Sequence, residues 1–336
     1  MNASRLTAGL LSGAVALALA LTGCAADQPS DPDGGSSSQG AESFTIGTAV
    51  IMDHPSLQLI AQGFKEVLAE AGVDVKYIEE NAQGDSSNAA TIASTFHDNQ
   101  DIDLILAITT PIAQAIVQAE TARPVLYAGV TDPVYAGLVP EIDGPSGTNV
   151  TGTSDLNPNA KPVALVKEII PDAQTIGVLY SSSEPNSIVQ VDAFKAEAGP
   201  LGVTIKESAI TATSELATGV QALADCDAIL VPTDNTVVSG ISTVIAFGEQ
   251  NQIPVFTADA ESVQAGSVAT RGISYYELGR RTGEMALAIL VDGKDVGTVP
   301  ALVVKETQLI VNLEAAAKMG VTISQALLAD AEVVET

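Results

Sequence analysis

The side chains able to do chemistry in this chain sit in short polar loops that follow apolar runs. In "DAILVPTDNTVVSGI", residues 227–241, an apolar run ends in Pro232, Thr233, Asp234, Asn235 and Thr236, with no histidine, cysteine or lysine beside them. Five other runs end in the same way. In the first half these are Met52-Asp53-His54-Pro55, Thr109-Thr110-Pro111 and Gly129-Val130-Thr131-Asp132-Pro133. In the second half they are 181–187, from Ser181 through Ser183, Glu184, Pro185, Asn186 and Ser187, and 258–262, which holds Asp259, Glu261 and Ser262. Pro55, Pro111, Pro133 and Pro185 suit the first position of a helix, where no N–H partner exists, and Ser, Thr, Asp and Asn suit the cap before it. Helix N-termini then point at the strand ends, with free N–H groups and partial positive charge that favour an anion. For any single Thr or Asp, capping is a sufficient role. Six such loops around one space suggest a ligand as well. Helix ends for a carboxylate, with Asp234 and Asp259 for an ammonium, make a site for a zwitterion such as a free α-amino acid. No nucleophile is needed, because no bond is made.

The elements that position these loops alternate. "FTIGTAVI" has strand composition, and "SLQLIAQGFKEVLAEAG" carries Leu57, Ile60, Phe64, Val67, Leu68 and Ala71 at helical spacing before Gly72. Strand and helix patterns alternate onward to "PVLYAGV", and the order restarts at "TIGVLY". "DLILAITTPIAQAI" matches "DAILVPTDNTVVSGI", and "RPVLYAGVTDPVYAGLV" matches "IPVFTADAESVQAGSVA", roughly 125–130 positions apart. Alternation with short connections predicts parallel sheets covered by helices. Ligands of open α/β sheets bind outside the carboxyl ends of the strands. The expected fold is therefore α/β: two similar doubly wound parallel-sheet lobes around a cleft. Lobe one is expected over 43–150 plus about 275–300, and lobe two over 155–272 plus about 303–336. The connection is expected in "SGTNVTGTSDLNPNAK", and "TVVSGISTVIAFGEQ" reads as one helix.

Residues 1–42 read as something other than fold. Arg5 precedes an apolar run, 10–21, and then "LTGC", which resembles the lipobox of bacterial lipoproteins. That resemblance implies a signal peptide over 1–23, cleavage before Cys24, and lipid on Cys24. Residues 24–42 are rich in Ser, Gly, Asp and Pro and read as a flexible tether of roughly 20–25 Å root-mean-square span. The chain of 336 residues carries 14 Lys plus Arg against 41 Asp plus Glu, a net charge of −27, which argues against nucleic acid as a partner. Cys226 is the one cysteine beyond Cys24 and reads as a small core residue.

An enzyme is disfavoured. The histidines are His54 and His97, and His97 falls in the last turn of a helix, where a cation is favourable. No cluster has metal-ligand spacing, "GPSGTN" is no phosphate loop, and no G-x-S-x-G turn is present. Neither cofactor nor metal is expected.

Taken in order, "TTPIAQA", "VTDPVYAGLV", "NVTGTS", "IGVLYSSSEPNS", "VPTDNTV", "IPVF" and "YYELGRRTGEMA" resemble the tryptophan/tyrosine-binding substrate-binding lipoproteins of ABC importers. The resemblance spans about 44–333 and implies a type I periplasmic-binding-protein-like fold. It also implies a monomer that closes on an amino acid, often aromatic, and delivers it to a membrane permease driven by a separate ATPase. By motif position it implies ligand contacts at Thr110, Thr131, Asp132, Ser183, Asn186, Ser187, Asp234, Asn235 and Asp259. His54 is carried over more loosely, since "MDHPSL" matches the first loop only in part. For an aromatic ligand, Tyr127, Tyr180 and Phe256 near strand ends are either core or ring contacts. A branched aliphatic amino acid, a nucleoside or a sugar stays open, as does a sensor subunit of the same shape.

Overall fold

The computed structural model describes residues 43–157 and 159–334. The signal peptide, Cys24 and the tether expected over 1–42 lie outside the described residues. Residues 41–336 form one compact unit.

That unit holds two sheets. The first has the order β11-β5-β4-β3-β1-β2 and is parallel throughout. Its strands are β1 (Ser43–Val50), β2 (Asp74–Asn81), β3 (Leu104–Ile108), β4 (Val125–Ala128), β5 (Val150–Ser154) and β11 (Leu302–Val303). The second has the order β13-β12-β10-β9-β8-β6-β7. It comprises β6 (Thr175–Ser181), β7 (Thr204–Ile210), β8 (Ala228–Val231), β9 (Val255–Thr257), β10 (Ala269–Gly272), β12 (Gln308–Asn312) and β13 (Ala331–Val334). All its pairings are parallel except β10 with β12. Helices α1 (Pro55–Glu70), α2 (Ser86–Asp98), α3 (Thr110–Ala119) and α10 (Tyr275–Leu290) belong to the first lobe. The second carries α4 (Pro162–Ile169), α5 (Pro185–Ala198), α6 (Leu216–Gln221), α7 (Asn235–Ser239), α8 (Ile241–Asn251), α9 (Ala260–Gln264), α11 (Leu313–Lys318) and α12 (Gln325–Leu328). The chain passes between the sheets three times, after β5, after β10 and after β11.

The helical spacing read in α1 is the face it buries: Leu57, Ile60, Phe64, Val67 and Leu68. The late helix α10 lies across it with almost no gap. A Cβ on Gly279 would stand 2.1 Å from the Ile60 carbonyl oxygen, and one on Gly63 2.3 Å from that of Tyr276. Only glycine permits this approach, which binds a segment more than two hundred residues downstream to α1.

Three expectations need correction. No helix starts at Pro133, since the chain between β4 and β5 holds none and Asp132 closes only a turn there. The segment read as a connection contains β5, a buried central strand. Its Val-Thr-Gly-Thr-Ser sequence lacks an apolar run because its hydroxyls find partners inside: Thr151 donates to the Val299 carbonyl, Thr153 pairs with Thr282, and Ser154 donates to the Thr131 carbonyl. The segment 236–250, read as one helix, is broken at Gly240, which divides α7 from α8. A Cβ there would meet Leu216 Cδ1 at 2.3 Å.

Candidate functional site

Residues that follow the strands of both sheets converge on one closed space. A cavity of about 20 Å³, room for about one water, is lined by His54, Gly129 and Thr131 from the first lobe and Asn186, Thr233, Asp234, Asn235 and Asp259 from the second. Asp155 and Tyr275, from two of the crossings between sheets, complete it. Hydrogen bonds join the lobes over it. Thr131 and Thr233 pair their hydroxyls at 3.2 Å, His54 Nε2 donates to Asn235 Oδ1 at 3.3 Å, and Ser56 donates to Glu261 at 2.8 Å.

On the second-lobe side most of the polar groups satisfy one another, while Asn186 Oδ1 is buried without a partner. Asp234 caps α7 through Val237 N at 2.8 Å, and its other oxygen accepts from Ser181 N at 2.5 Å and Ser187 Oγ at 2.6 Å. Glu184, before α5, accepts from the backbone and side chains of both Asn235 and Thr236, and from Asn186 Nδ2. Asp259 caps α9 through Ser262 N and Ser262 Oγ. Burial, then the nearby Glu184 charge, pushes the Asp234 carboxyl up, and burial does the same to Asp259.

On the first-lobe and hinge side, polar atoms lack partners. Thr109 and Thr110 are each 2% exposed, and neither hydroxyl is hydrogen-bonded. Thr109 has φ of +89°, a conformation L residues rarely adopt, and the N-terminus of α3 has no side-chain cap. His54 Nδ1 is equally unpaired, and burial lowers the affinity of the ring for a proton. Asp155 accepts from the Tyr275 hydroxyl at 3.2 Å on one oxygen, while the other is buried without a partner. Burial raises its carboxyl, against the Thr131 and Tyr275 hydroxyls.

Asp155, Thr131, Thr233 and Tyr275 also line a second cavity of about 490 Å³ between α4, α5 and the second sheet. Its walls include Leu165, Phe194, Leu230, Phe256 and Ile273. The volume falls within the range of small-molecule sites, and the pairing of apolar walls with a few polar groups is their usual character.

Of the sequence-derived contacts, His54, Thr131, Asn186, Asp234, Asn235 and Asp259 meet at the cleft. Thr110 starts α3, buried, and lines neither of the two cavities. Ser187 stands behind Asp234. Asp132 caps its own turn through Val134 N and Tyr135 N, and Ser183 is exposed beside Ser181. Among the aromatics, Phe256 lines the larger cavity, Tyr127 is fully buried in the first-lobe core, and Tyr180 bonds Glu207 away from the cleft. Sequence reasoning passed over Asp155 and Tyr275. Asp155 lies in the segment read as a connection, with no helix directly after it, and Tyr275 opens α10 behind the Ser274 cap, but after β10, a strand that the sequence pattern did not mark.

Two α/β lobes joined by three crossings and closed over a polar cleft define a binding protein that encloses a small solute. Residues 45–335 match the family model described as ABC transporter substrate binding protein, and the chain belongs to that family. It is 36% identical over 309 residues, 90% of this chain and 88% of the other, to the tyrosine-binding protein of Clostridioides difficile. The crystal structure of a Streptococcus pneumoniae ABC domain in complex with L-Trp is similar, at 36% identity and TM-score 0.82, over 88% of this chain and 100% of that one. The ligand-free, open structure of a substrate binding protein with adhesive properties from Clostridium difficile is 38% identical. Its TM-score is 0.64, over 87% of this chain and 99% of that one. At nearly equal identity the L-Trp complex superposes better, in keeping with the hydrogen bonds that hold these lobes shut. More distant solute-binding proteins, 15–20% identical, share the type I periplasmic-binding fold alone, at TM-scores of 0.58–0.59.

Proposed function

We propose that this protein captures a free aromatic amino acid between its lobes and hands it to an ABC permease served by a separate ATPase. It works outside the cytoplasm as a monomer, held to the membrane by lipid on Cys24. The observation that carries the ligand assignment is Asp155: a buried carboxylate with one free oxygen, set between the cross-lobe cleft and an apolar cavity of about 490 Å³. The ligand ammonium pairs with Asp155. The ligand carboxylate lies at the start of α3, where Thr109 and Thr110 offer free hydroxyls and the helix end offers uncapped N–H groups. The side chain enters the cavity walled by Phe194 and Phe256. The relatives named for tyrosine binding and for an L-Trp complex support the aromatic choice.

The test is a thermal-shift screen of residues 43–336 with the amino acids, sugars and nucleosides, after unfolding and refolding to strip carried ligand. A ligand at 100 times its dissociation constant adds about 2.7 kcal/mol, and the melt rises visibly. The expected response is to Trp, Tyr or Phe. A response to aliphatic amino acids alone rejects the aromatic assignment, and a response to sugars or nucleosides alone rejects the amino acid. For the anchor, full-length Cys24→Ala is expected to leave the bacterial membrane fraction, and a variant retained there overturns lipid attachment.

A further inference from the structure

Where α1 begins, it meets α9 of the opposite lobe. Ser56, in the first turn of α1 and 1% exposed, donates Oγ to Glu261 Oε2 at 2.8 Å and lies 3.5 Å from Asp259 Oδ1. Asp259 is already occupied within α9 by Ser262. Glu261 is therefore the side chain free to reach across. It lines neither cavity of the ligand site; it faces an outer groove with Glu277, Arg281, Glu306 and Glu332. The clasp thus shares one hydroxyl proton between two carboxyl groups, and it exists only while the lobes are shut.

We propose that Ser56, at the edge of the cleft, and Glu261, outside both ligand cavities, form a clasp that sets ligand affinity by holding the lobes closed. The inference rests on the reading that ligand is bound by closure. With the lobes apart, Glu261 loses Ser56. Closed, burial and then the Asp259 charge push its carboxyl up, while the Ser56 hydrogen bond and His54 partly oppose this. A group whose value is raised on closure takes up a proton as the lobes shut. The gain in affinity is therefore fully present below the ordinary Glu value of about 4.3 and is lost as pH rises through the closed-state value. The other titratable groups here are Asp53, His54, Asp155, Glu184 and Tyr275. His54 acts in the opposite sense, since burial lowers it and closure expels its proton. The Glu261 charge opposes that lowering, so Glu261→Gln lowers His54 further, and both changes act in one direction, reducing the rise of affinity toward acid.

The experiment compares wild type, Ser56→Ala and Glu261→Gln as residues 41–336, by calorimetry with L-tryptophan and L-tyrosine between pH 5 and 7.5. Ser56→Ala is expected to weaken binding roughly tenfold, the loss of one buried hydrogen bond. Glu261→Gln keeps an acceptor for Ser56 and removes the charge beside Asp259. It is expected to bind more tightly than wild type at pH 7.5 and to lose the part of the pH profile in which affinity rises toward acid. Parallel weakening of both variants at every pH, or an unchanged profile in Glu261→Gln, overturns the clasp. Small-angle scattering without ligand supplies an independent arm, with Glu261→Gln more compact than wild type at pH 7.5 and Ser56→Ala more open. If wild type binds no amino acid, the functional reading fails while scattering still decides the clasp. If it binds and neither variant differs from it, the clasp alone fails.

Discussion

On the second-lobe side of the cleft, Glu184, Asp234, Asn235 and Thr236 satisfy one another, with Ser181, Ser187 and Val237 supplying further donors. On the first-lobe and hinge side, His54, Thr109, Thr110 and Asp155 each keep a buried atom unpaired, against Asn186 Oδ1 alone among the second-lobe residues that line the cleft. Both sides are built from the same small polar residues, yet they do different work. A buried polar group left without a partner costs about 1–3 kcal/mol. A fold retains several only where another requirement outweighs that cost, and binding sites are such places. The closed network shapes one wall of the site and holds it rigid, while the unpaired atoms are the ones with hydrogen bonds still to make. The residues with the loudest polar signature, "PTDNT", fall in the first group.

That contrast can be broken or sharpened by substitution. The largest effect is expected from Asp155→Asn, which keeps the shape and removes the charge. Affinity for an aromatic amino acid should fall about a hundredfold or more, the usual result of removing one partner of a buried ion pair. The ligand-free protein should melt higher at neutral pH. Burial raises Asp155 above its unfolded value, so its contribution is fully present below about 3.9 and is lost as pH rises through the folded value. The amide carries no such loss. Calorimetry and a melt of the same sample check both, and retained affinity would remove Asp155 from the site.

Asp234→Ala is expected to act mainly on stability. It strips the cap of α7 and leaves the buried Ser181 N–H without its acceptor, together about 2–4 kcal/mol. Affinity measured on the folded fraction should change far less than in Asp155→Asn. The opposite pattern, a collapse of binding with an unchanged melt, would make Asp234 the ammonium partner and dissolve the distinction between the two sides. The smallest effect is expected at Asp132, whose carboxylate caps its own turn through Val134 N and Tyr135 N. Asp132→Ala should cost at most about 1 kcal/mol and leave affinity within about twofold, by denaturation and calorimetry. A large loss of binding there would extend the site beyond the cavities described.

Much of the fold was legible because its signals are local. The α1 face, the Gly72 stop and the strand–helix alternation each depend on residues within a few positions of one another. Asp234 and Asp259 read as caps because the N–H each accepts lies three residues on. Strand β5 was hidden because what makes it a strand is not apolar spacing. Thr151 finds the Val299 carbonyl and Thr153 finds Thr282, both more than a hundred positions away. Asp155 was passed over for the same reason, since its partner Tyr275 is 120 residues further on.

The sequence by itself determined most of the strand–helix alternation, its order, and the caps at Asp234 and Asp259. These follow from short-range sterics, backbone hydrogen bonding and periodicity. The tertiary structure alone decided which capping residues also face the ligand space, which polar atoms stay unpaired there, and which side chains meet across it. Thr131 with Thr233, His54 with Asn235, and Ser56 with Glu261 are 102, 181 and 205 positions apart. No local pattern encodes such a pair, because each exists only after three crossings bring two separately folded sheets face to face.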